Sequence, residues 1–336
     1  VLLIVICPRS EKIFISLHIK LRNVHGLTMT KTIAKPFLKW AGGKTQLLPT
    51  IDSFLPESFR RQRSITYVEP FVGGGAMLFF MLQKYPNINR AIINDINPHL
   101  VKTYRIIRDN PRGLIESLDE IQSVYRGLDE YDAQKNFYLT LRERFNNETL
   151  TDMEEASVMI FMNRTCFNGL YRENSRGNFN VPFGRYVNPT ICDRDLILAD
   201  SELLQKVEIL NGDFENTGEY VGGYTFFYFD PPYRPLDATS SFNSYVKETF
   251  NDNEQKRLKD FFASLSSQGY HEILSNSDGR SRNENDVFFD ELYKDFIIER
   301  VYAKRCINAN ASKRGILSEL LIRNYENYQG NSDTLF

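Results

Sequence analysis

Short apolar runs bounded by glycine, proline or asparagine recur along the chain at Ile65–Val68, Ala91–Ile93, Tyr224–Phe229, Glu272–Leu274, Phe296–Val301 and Leu317–Ile322. Runs of this length predict strands buried on both faces. Helical spacing fills the intervals. Ala76 to Tyr85 follows the first run, and Asn251 to Gln268 sets Leu258, Phe261, Phe262 and Leu265 on one face, with charge on the other. That second segment opens on Asn251 and Asp252, good N-cap residues, and stops at Gly269. Strands alternating with helices predict an α/β fold whose mainly parallel sheet is covered on both faces.

The middle of the chain breaks this rhythm. Pro111 to Phe145 is polar and acidic with helical spacing of Leu, Ile and Tyr, and Asn163 to Pro189 is rich in Asn, Arg, Gly and aromatics. The second stretch predicts turns and a hairpin around Ser175-Arg176-Gly177-Asn178. Residues 98–200 are expected to form a second domain inserted into an α/β domain of residues 33–97 plus 201–328, after an N-terminal extension of residues 1–32. At 336 residues the chain is long enough for both.

Charge supports the division. The net formal charge is −2, but Lys31 to Arg63 carries +5, Asp109 to Glu155 carries −7, and Ser157 to Thr190 carries +3. Two basic zones flanking an acidic helical block suit one face that meets phosphate and another that stays solvated. Apolar residues at 42% and charged residues at 25% exclude collagen-like, disulfide-scaffold and disordered chains. The apolar stretch Val1 to Cys7 falls far short of the ~20 residues of a membrane helix, and lacks a basic leader. No membrane partner is expected. The first methionine is Met29, so residues 1–28 carry no functional argument. Cys7, Cys166, Cys192 and Cys306 are widely spaced, His18 and His25 lie in the N-terminal extension and His99 and His271 are isolated, which predicts reduced cysteines, a cytoplasmic setting and no metal site.

Four segments carry chemistry. In the first, Glu69-Pro70-Phe71-Val72-Gly73-Gly74-Gly75-Ala76 joins a strand to a helix. Glycines there let a ligand approach the backbone and free helix N–H groups. Asp95, 22 residues past Gly73, ends the next strand where a carboxylate accepts ribose hydroxyls. The spacing does not separate NAD from S-adenosylmethionine, although the dinucleotide pattern G-x-G-x-x-G is absent. In the second, the strand Phe226–Phe229 delivers Asp230, followed by Pro231, Pro232 and Tyr233. A carboxylate, rigid carbonyl acceptors and an aromatic face suit a planar base bearing an exocyclic amine. The third is Phe37-Leu38-Lys39-Trp40-Ala41-Gly42-Gly43-Lys44, with the only tryptophan in the basic zone. Trp40 can pack on a ligand and Lys44 can pair with a carboxylate or phosphate; a capped helix start suits the same residues. The fourth runs from Asn163 to Asn174 and on through Arg185, mixing arginine, asparagine and aromatics on turns as base reading requires.

Together these segments resemble the Dam-type DNA adenine-N6 methyltransferases over roughly Lys35 to Tyr325. The resemblance rests on FLKWAGGK, YVEPFVGGGA, NRTCFNGLYREN with GNFNVPFG, and FDPPYRPL. It implies a Rossmann-like methyltransferase fold with a mixed, mainly parallel sheet and an inserted helical and hairpin DNA-recognition domain. The implied cofactor is S-adenosyl-L-methionine, held by Trp40, Lys44, Gly73, Gly75, Asp95, Asp213, Phe214 and Asp230. Asp230, Pro231, Pro232 and Tyr233 would hold the target adenine. Phe167, Asn168, Leu170, Arg172 and Pro182 would meet DNA, with Arg172 reading guanine and Phe167 wedged into the base stack. The expected site is GATC in duplex DNA, with the base flipped out. Ser240, Ser241 and Tyr245 are expected on a loop that closes over the target. A cognate restriction endonuclease acting separately is a further partner the resemblance leaves room for.

Two other classes stay open at this level. Cytosine-N4 methyltransferases use the same amine chemistry, with serine common where Asp230 stands. An inactive DNA-binding relative would retain the recognition hairpin without transfer. A cytosine-C5 enzyme is rejected because no Pro-Cys pair occurs.

Overall fold

The computed structural model of the chain describes residues 32–234, 250–281, 283–303 and 317–326. The contacts divide the chain into two units, Val1–Thr32 and Ile33–Phe336, and all elements below belong to the second. Short helices α1 (Leu48–Ser53) and α2 (Glu57–Arg61) precede strand β1 (Ile65–Glu69), helix α3 (Ala76–Lys84) and strand β2 (Ile88–Asp95). Five helices follow: α4 (Pro98–Asp109), α5 (Pro111–Arg126), α6 (Tyr131–Asn147), α7 (Asp152–Thr165) and α8 (Arg194–Leu204). The chain then returns to the sheet through β3 (Val207–Asn211), β4 (Thr225–Phe229), α9 (Asp252–Ser267), β5 (His271–Ser277), α10 (Phe288–Leu292), β6 (Ile297–Ala303) and β7 (Leu317–Arg323).

The strands form one seven-stranded sheet in the order β3-β2-β1-β4-β5-β7-β6. The first five run parallel, and β7 enters antiparallel between β5 and β6. This is the α/β arrangement of a Rossmann-like methyltransferase, mixed and mainly parallel. The period of two in β4 explains its position. Phe226 and Tyr228 join one core cluster, with Tyr67 and Ile273, while Phe227 and Phe229 join the other, with Val68 and Leu274. A strand whose five residues are all buried needs layers on both faces. Helix α9 supplies part of one layer with Leu258, Phe262 and Leu265, each fully buried side chain worth about 1.5–3 kcal/mol. Its Asn251 cap accepts hydrogen bonds from the Asn253 and Glu254 amides, and Gly269 leaves the helix at φ +86°.

Strand β3 was not expected from the apolar pattern. Val207-Glu208-Ile209 alternates, and Glu208 is half-exposed at the sheet edge, where its carboxylate pairs with Arg90 at 2.6 Å. Residues 98–200 fall between β2 and β3. Their helices are built around α7, whose Thr151 and Glu154 form a reciprocal capping box and whose core residues are buried. The expected hairpin is present: the Asn174 amide donates to the Asn178 carbonyl, and Glu173 bridges Phe179. Ser240, Ser241 and Tyr245 lie outside the described residues.

Candidate active site

Because β1 to β5 run parallel, their carboxyl ends share one edge, where an open α/β sheet binds its ligands. The glycine turn leaves β1 there. Gly73 has φ +49° and Gly75 has φ +75°, a region that favours glycine. A Cβ on Gly74 would stand 2.9 Å from Trp40 Cβ, and one on Gly73 would stand 3.0 Å from Trp40 Cδ1. The missing side chains are therefore what lets Trp40 lie against the turn. Asp95 ends β2 beside it and accepts hydrogen bonds from the Gly73 amide at 3.0 Å and the Asn97 amide at 2.9 Å. Burial pushes its carboxyl above the ordinary range, and these amide donors pull the other way. Ile96 next to it is 62% exposed. A tight turn over helix α3, a fixed acid and an exposed apolar side chain fit the adenosyl part of S-adenosylmethionine.

At the end of β4 a second group is assembled. The Lys44 ammonium, itself buried, donates to Asp230 Oδ1 at 2.6 Å and to the Gly42 carbonyl at 3.3 Å. Ser275 on β5 donates to the same Asp230 oxygen at 3.2 Å and shares a 3.0 Å hydrogen bond with the Tyr228 hydroxyl. Lys44 Nζ also stands 4.5 Å from the centre of the Tyr233 ring and 3.9 Å from Glu319 Oε2. The Tyr233 hydroxyl donates to that same Glu319 oxygen at 2.9 Å. Burial raises the Asp230 carboxyl above its usual range; Lys44 and Ser275 lower it, and Glu319 adds to the rise. Nearby, Glu69 takes a 2.6 Å hydrogen bond from Tyr67, and burial pushes it up to about 8. Gln255 donates to the Pro232 carbonyl at 3.2 Å, and Arg234 holds the end of the loop to Asp252 and Asp286. Pro231 is buried and Pro232 exposed.

The sequence expectation for Lys44 was the cofactor site; its described polar contacts lie with the Asp230 group and the Gly42 carbonyl. Asp213 caps the turn after β3 through the Glu215 amide and pairs with Arg257. Phe214 is buried at 4% exposure among Phe71, Phe250 and Phe261, with the Arg257 guanidinium 4.5 Å from its ring centre.

The DNA-binding candidates share one stub after α7. Phe167, Asn168, Leu170 and Pro182 are exposed, and the Phe167 amide donates to the Pro182 carbonyl at 2.9 Å. Asn168 has φ +57°. Arg172 is half-buried and tied to Asn180, with Nε donating to Oδ1 at 2.7 Å. Buried Asn163 fastens this stub to the tryptophan segment by bonding the Lys39 amide, the Lys39 carbonyl and the Gly169 carbonyl, each at 2.9 Å. Tyr171 stacks on Trp40 with ring centres 5.3 Å apart. Glu319 and Ser275 were not singled out in the sequence. The available signal was a lone carboxylate in Leu317–Arg323 and a polar pair, Ser275-Asn276, inside a buried strand.

Sheet order, glycine turn and the acid after β4 thus define a Rossmann-like methyltransferase. Residues 40–307 match the family described as D12 class N6 adenine-specific DNA methyltransferase. The chain is 47% identical over 295 residues to the type II methyltransferase M.MjaIII of Methanocaldococcus jannaschii, covering 87% of this chain and 99% of that protein. It is 40% identical to the type II methyltransferase M1.LlaDCHI of Lactococcus lactis subsp. cremoris, covering 90% and 99%. It is 32% identical to a DNA adenine methylase of Haemophilus influenzae, covering 85% and 92%. The chain belongs to the D12 class of N6 adenine-specific DNA methyltransferases, and is an enzyme that acts on DNA. The cytosine-N4 alternative is thereby set aside. Among the described residues no helix is long and apolar enough to cross a membrane.

Proposed function

We propose that the enzyme transfers a methyl group from S-adenosyl-L-methionine to N6 of a flipped adenine within GATC, and that residues 98–200 select that sequence. The observation that carries the reading is the grouping of Asp230, the Pro231-Pro232 turn and Tyr233 at the carboxyl end of β4, next to the glycine turn of β1. Adenine's amine is a weak nucleophile because its lone pair is delocalised into the ring. Asp230 and the Pro231 carbonyl each accept one amine hydrogen, which draws the nitrogen toward a tetrahedral shape and frees the lone pair. Of the two proline carbonyls, Pro232's is engaged by Gln255, so Pro231 takes this role. Gly73, Gly75 and Asp95 would hold S-adenosylmethionine, which would supply an electrophilic sulfonium methyl; as the amine lone pair forms the new N–C bond, the S–C bond pair stays on sulfur in S-adenosylhomocysteine, and the methylated nitrogen gives up one proton to water. Lys44 and Ser275 favour the carboxylate form of Asp230, which orients the amine; most of the acceleration comes from this positioning.

A base inside the duplex cannot reach these acceptors, and flipping it costs a few kcal/mol. Stacking on Tyr233 offsets this by about 1–3 kcal/mol. Exposed Phe167 fills the space left in the duplex, while Leu170 and Pro182 contact neighbouring bases. Arg172, pre-oriented by Asn180, reads guanine, a contact worth about 1–3 kcal/mol of discrimination. Two relatives bear type II methyltransferase names, which is the reason to look for a cognate restriction endonuclease beside this chain.

The test is methylation of a GATC duplex by Asp230→Ala protein. Loss of transfer with retained DNA binding is expected; transfer near wild type would refute the role of Asp230. Arg172→Ala should lose preference for GATC over duplexes altered at the guanine. An unchanged preference removes that assignment.

A further inference from the structure

Strand β7 runs against its neighbours, so its first residues lie where the parallel strands end. In register, Glu319 stands opposite Ser277, the last residue of β5. That placement brings a second carboxylate to the Asp230 group. Glu319 Oε2 accepts the Tyr233 hydroxyl at 2.9 Å and lies 3.9 Å from Lys44 Nζ, while Lys44 donates to Asp230 at 2.6 Å. Asp230, Lys44, Glu319 and Tyr233 thus form a chain of contacts, closed by the Lys44 ammonium 4.5 Å from the Tyr233 ring centre. The Glu319 side chain is only 14% exposed, so water screens this arrangement weakly.

We propose that Glu319 is a positioning residue for methyl transfer: its carboxylate fixes the Tyr233 ring by the hydroxyl and draws the Lys44 ammonium partly away from Asp230. This inference rests on the reading that Asp230 and Tyr233 hold the flipped base. A ring held at its hydroxyl end keeps one orientation while the base arrives. Sharing the ammonium with a second acid weakens its grip on the oxygen that must also receive an amine hydrogen.

The groups facing Asp230 are Lys44 from the segment before α1, Glu69 from the end of β1, Tyr228 and Tyr233 from its own segment, Ser275 from β5 and Glu319 from β7. Of these, Glu319 and Glu69 are the other carboxylates. Removing the charge of Glu319 therefore lowers the pH at which Asp230 ionises. Glu319→Gln keeps an oxygen acceptor and removes only the charge.

The experiment measures methylation of a GATC duplex against pH for the wild type, Glu319→Gln, Tyr233→Phe and the double variant, with melting temperatures as a folding control. Glu319→Gln is expected to lower kcat about tenfold, the scale of turning a charge-assisted hydrogen bond into a neutral one. KM for the duplex should stay within about twofold, since the bond acts on the base after binding. The acid limb of the rate profile should move to lower pH. Tyr233→Phe should lower kcat similarly without moving that limb, and the double variant should lose little more than either single one. A wild-type kcat and acid limb for Glu319→Gln, or losses that multiply in the double variant, would overturn the inference. If Glu319→Gln fails to fold, Tyr233→Phe reads the same bond, and a wild-type kcat there overturns it. The underlying reading fails separately, by activity of Asp230→Ala; an inactive Asp230→Ala beside an unaffected Glu319→Gln sinks only the role of Glu319.

Discussion

Replacing Lys44 by methionine should move the acid limb of methylation upward, opposite to the shift expected for Glu319→Gln. In the proposed mechanism Asp230 accepts an amine hydrogen best as a carboxylate. Burial disfavours that form, and the ammonium at 2.6 Å restores it. For charge centres about 4 Å apart and an effective dielectric near 20, the attraction is about 4 kcal/mol. At 1.36 kcal/mol per unit, this corresponds to roughly 3 pKa units as an upper bound. Asp230 keeps 22% of its side chain exposed, and Ser275 still donates to it, so solvent and the hydroxyl recover part of the loss. The expected shift is about 1–3 pH units, the range seen when one close opposite charge is removed. Methionine retains the length and apolar stem of lysine, which limits the packing change. The assay is single-turnover transfer of a labelled methyl group to a hemimethylated GATC duplex across a pH series that brackets the acid limb of the wild type. An acid limb that stays at the wild-type pH, with only a uniform drop in rate, would refute the electrostatic role. It would leave Lys44 as a support for the Tyr233 ring.

Three further outcomes follow from packing and protonation. Gly75→Ala forces a side chain into φ +75° and sets its Cβ 2.4 Å from the Tyr104 hydroxyl, which donates to the Gly73 carbonyl. A loss of about 1–3 kcal/mol in urea unfolding is expected, and an unchanged midpoint would contradict the strain argument. Asn163→Ala leaves the Lys39 and Gly169 groups without their shared partner, at a cost of about 3 kcal/mol in the same assay; a loss below roughly 0.5 kcal/mol, the scale of an ordinary surface substitution, would show that the link is dispensable. Glu69 and Asp200 both carry carboxyls pushed up to about 8 by burial, above their unfolded values of 4.5 and 3.8. Each holds its proton more tightly when folded, so each contributes stability that is complete below the unfolded value and is lost as pH climbs toward 8. Glu69→Gln should flatten the fall in melting temperature between pH 5 and 8; an unaltered slope would mean that Glu69 titrates normally.

The parts of this site that the sequence discloses are those fixed by local rules. The apolar run Tyr224–Phe229 before Asp230-Pro231-Pro232 reads as a buried strand delivering an acid to its carboxyl end, and all five residues of β4 are buried. Gly73 to Gly75 after β1 and Asp95 after β2 follow the same logic, and both stand at the same sheet edge in the structure. Contacts that depend on long-range register were hidden. Glu319 reaches Tyr233 across 86 positions because β7 inserts antiparallel between β5 and β6, and nothing local in Leu317–Arg323 marks that insertion. Lys44 reaches Asp230 across 186 positions, so its local setting showed only that it could pair with a carboxylate or phosphate, not which one. Strand β3 escaped notice because an edge strand buries one side only, and Glu208 interrupts its apolar run.

The sheet order also accounts for why a lysine stands between two acids. Asp230 comes from β4 and Glu319 from β7, and β5 lies between them in the sheet. Its Ser275 hydroxyl bonds the first acid, and its last residue, Ser277, faces the second in register. Two carboxylates converging on a half-buried pocket would favour protonation of one of them, as unlike charges are absent. Asp230 would then offer a proton where an acceptor is required. A single buried ammonium prevents this. Paired with one acid alone, however, it would hold the acceptor oxygen in a strong, weakly screened ion pair. With Glu319 competing for the cation, Asp230 remains charged and can still exchange part of its bonding to an incoming amine. On the proposal for Glu319, the antiparallel insertion of β7 is a functional element: the chain reversal that places Glu319 beside the carboxyl ends of the parallel strands would also set how tightly Lys44 holds Asp230.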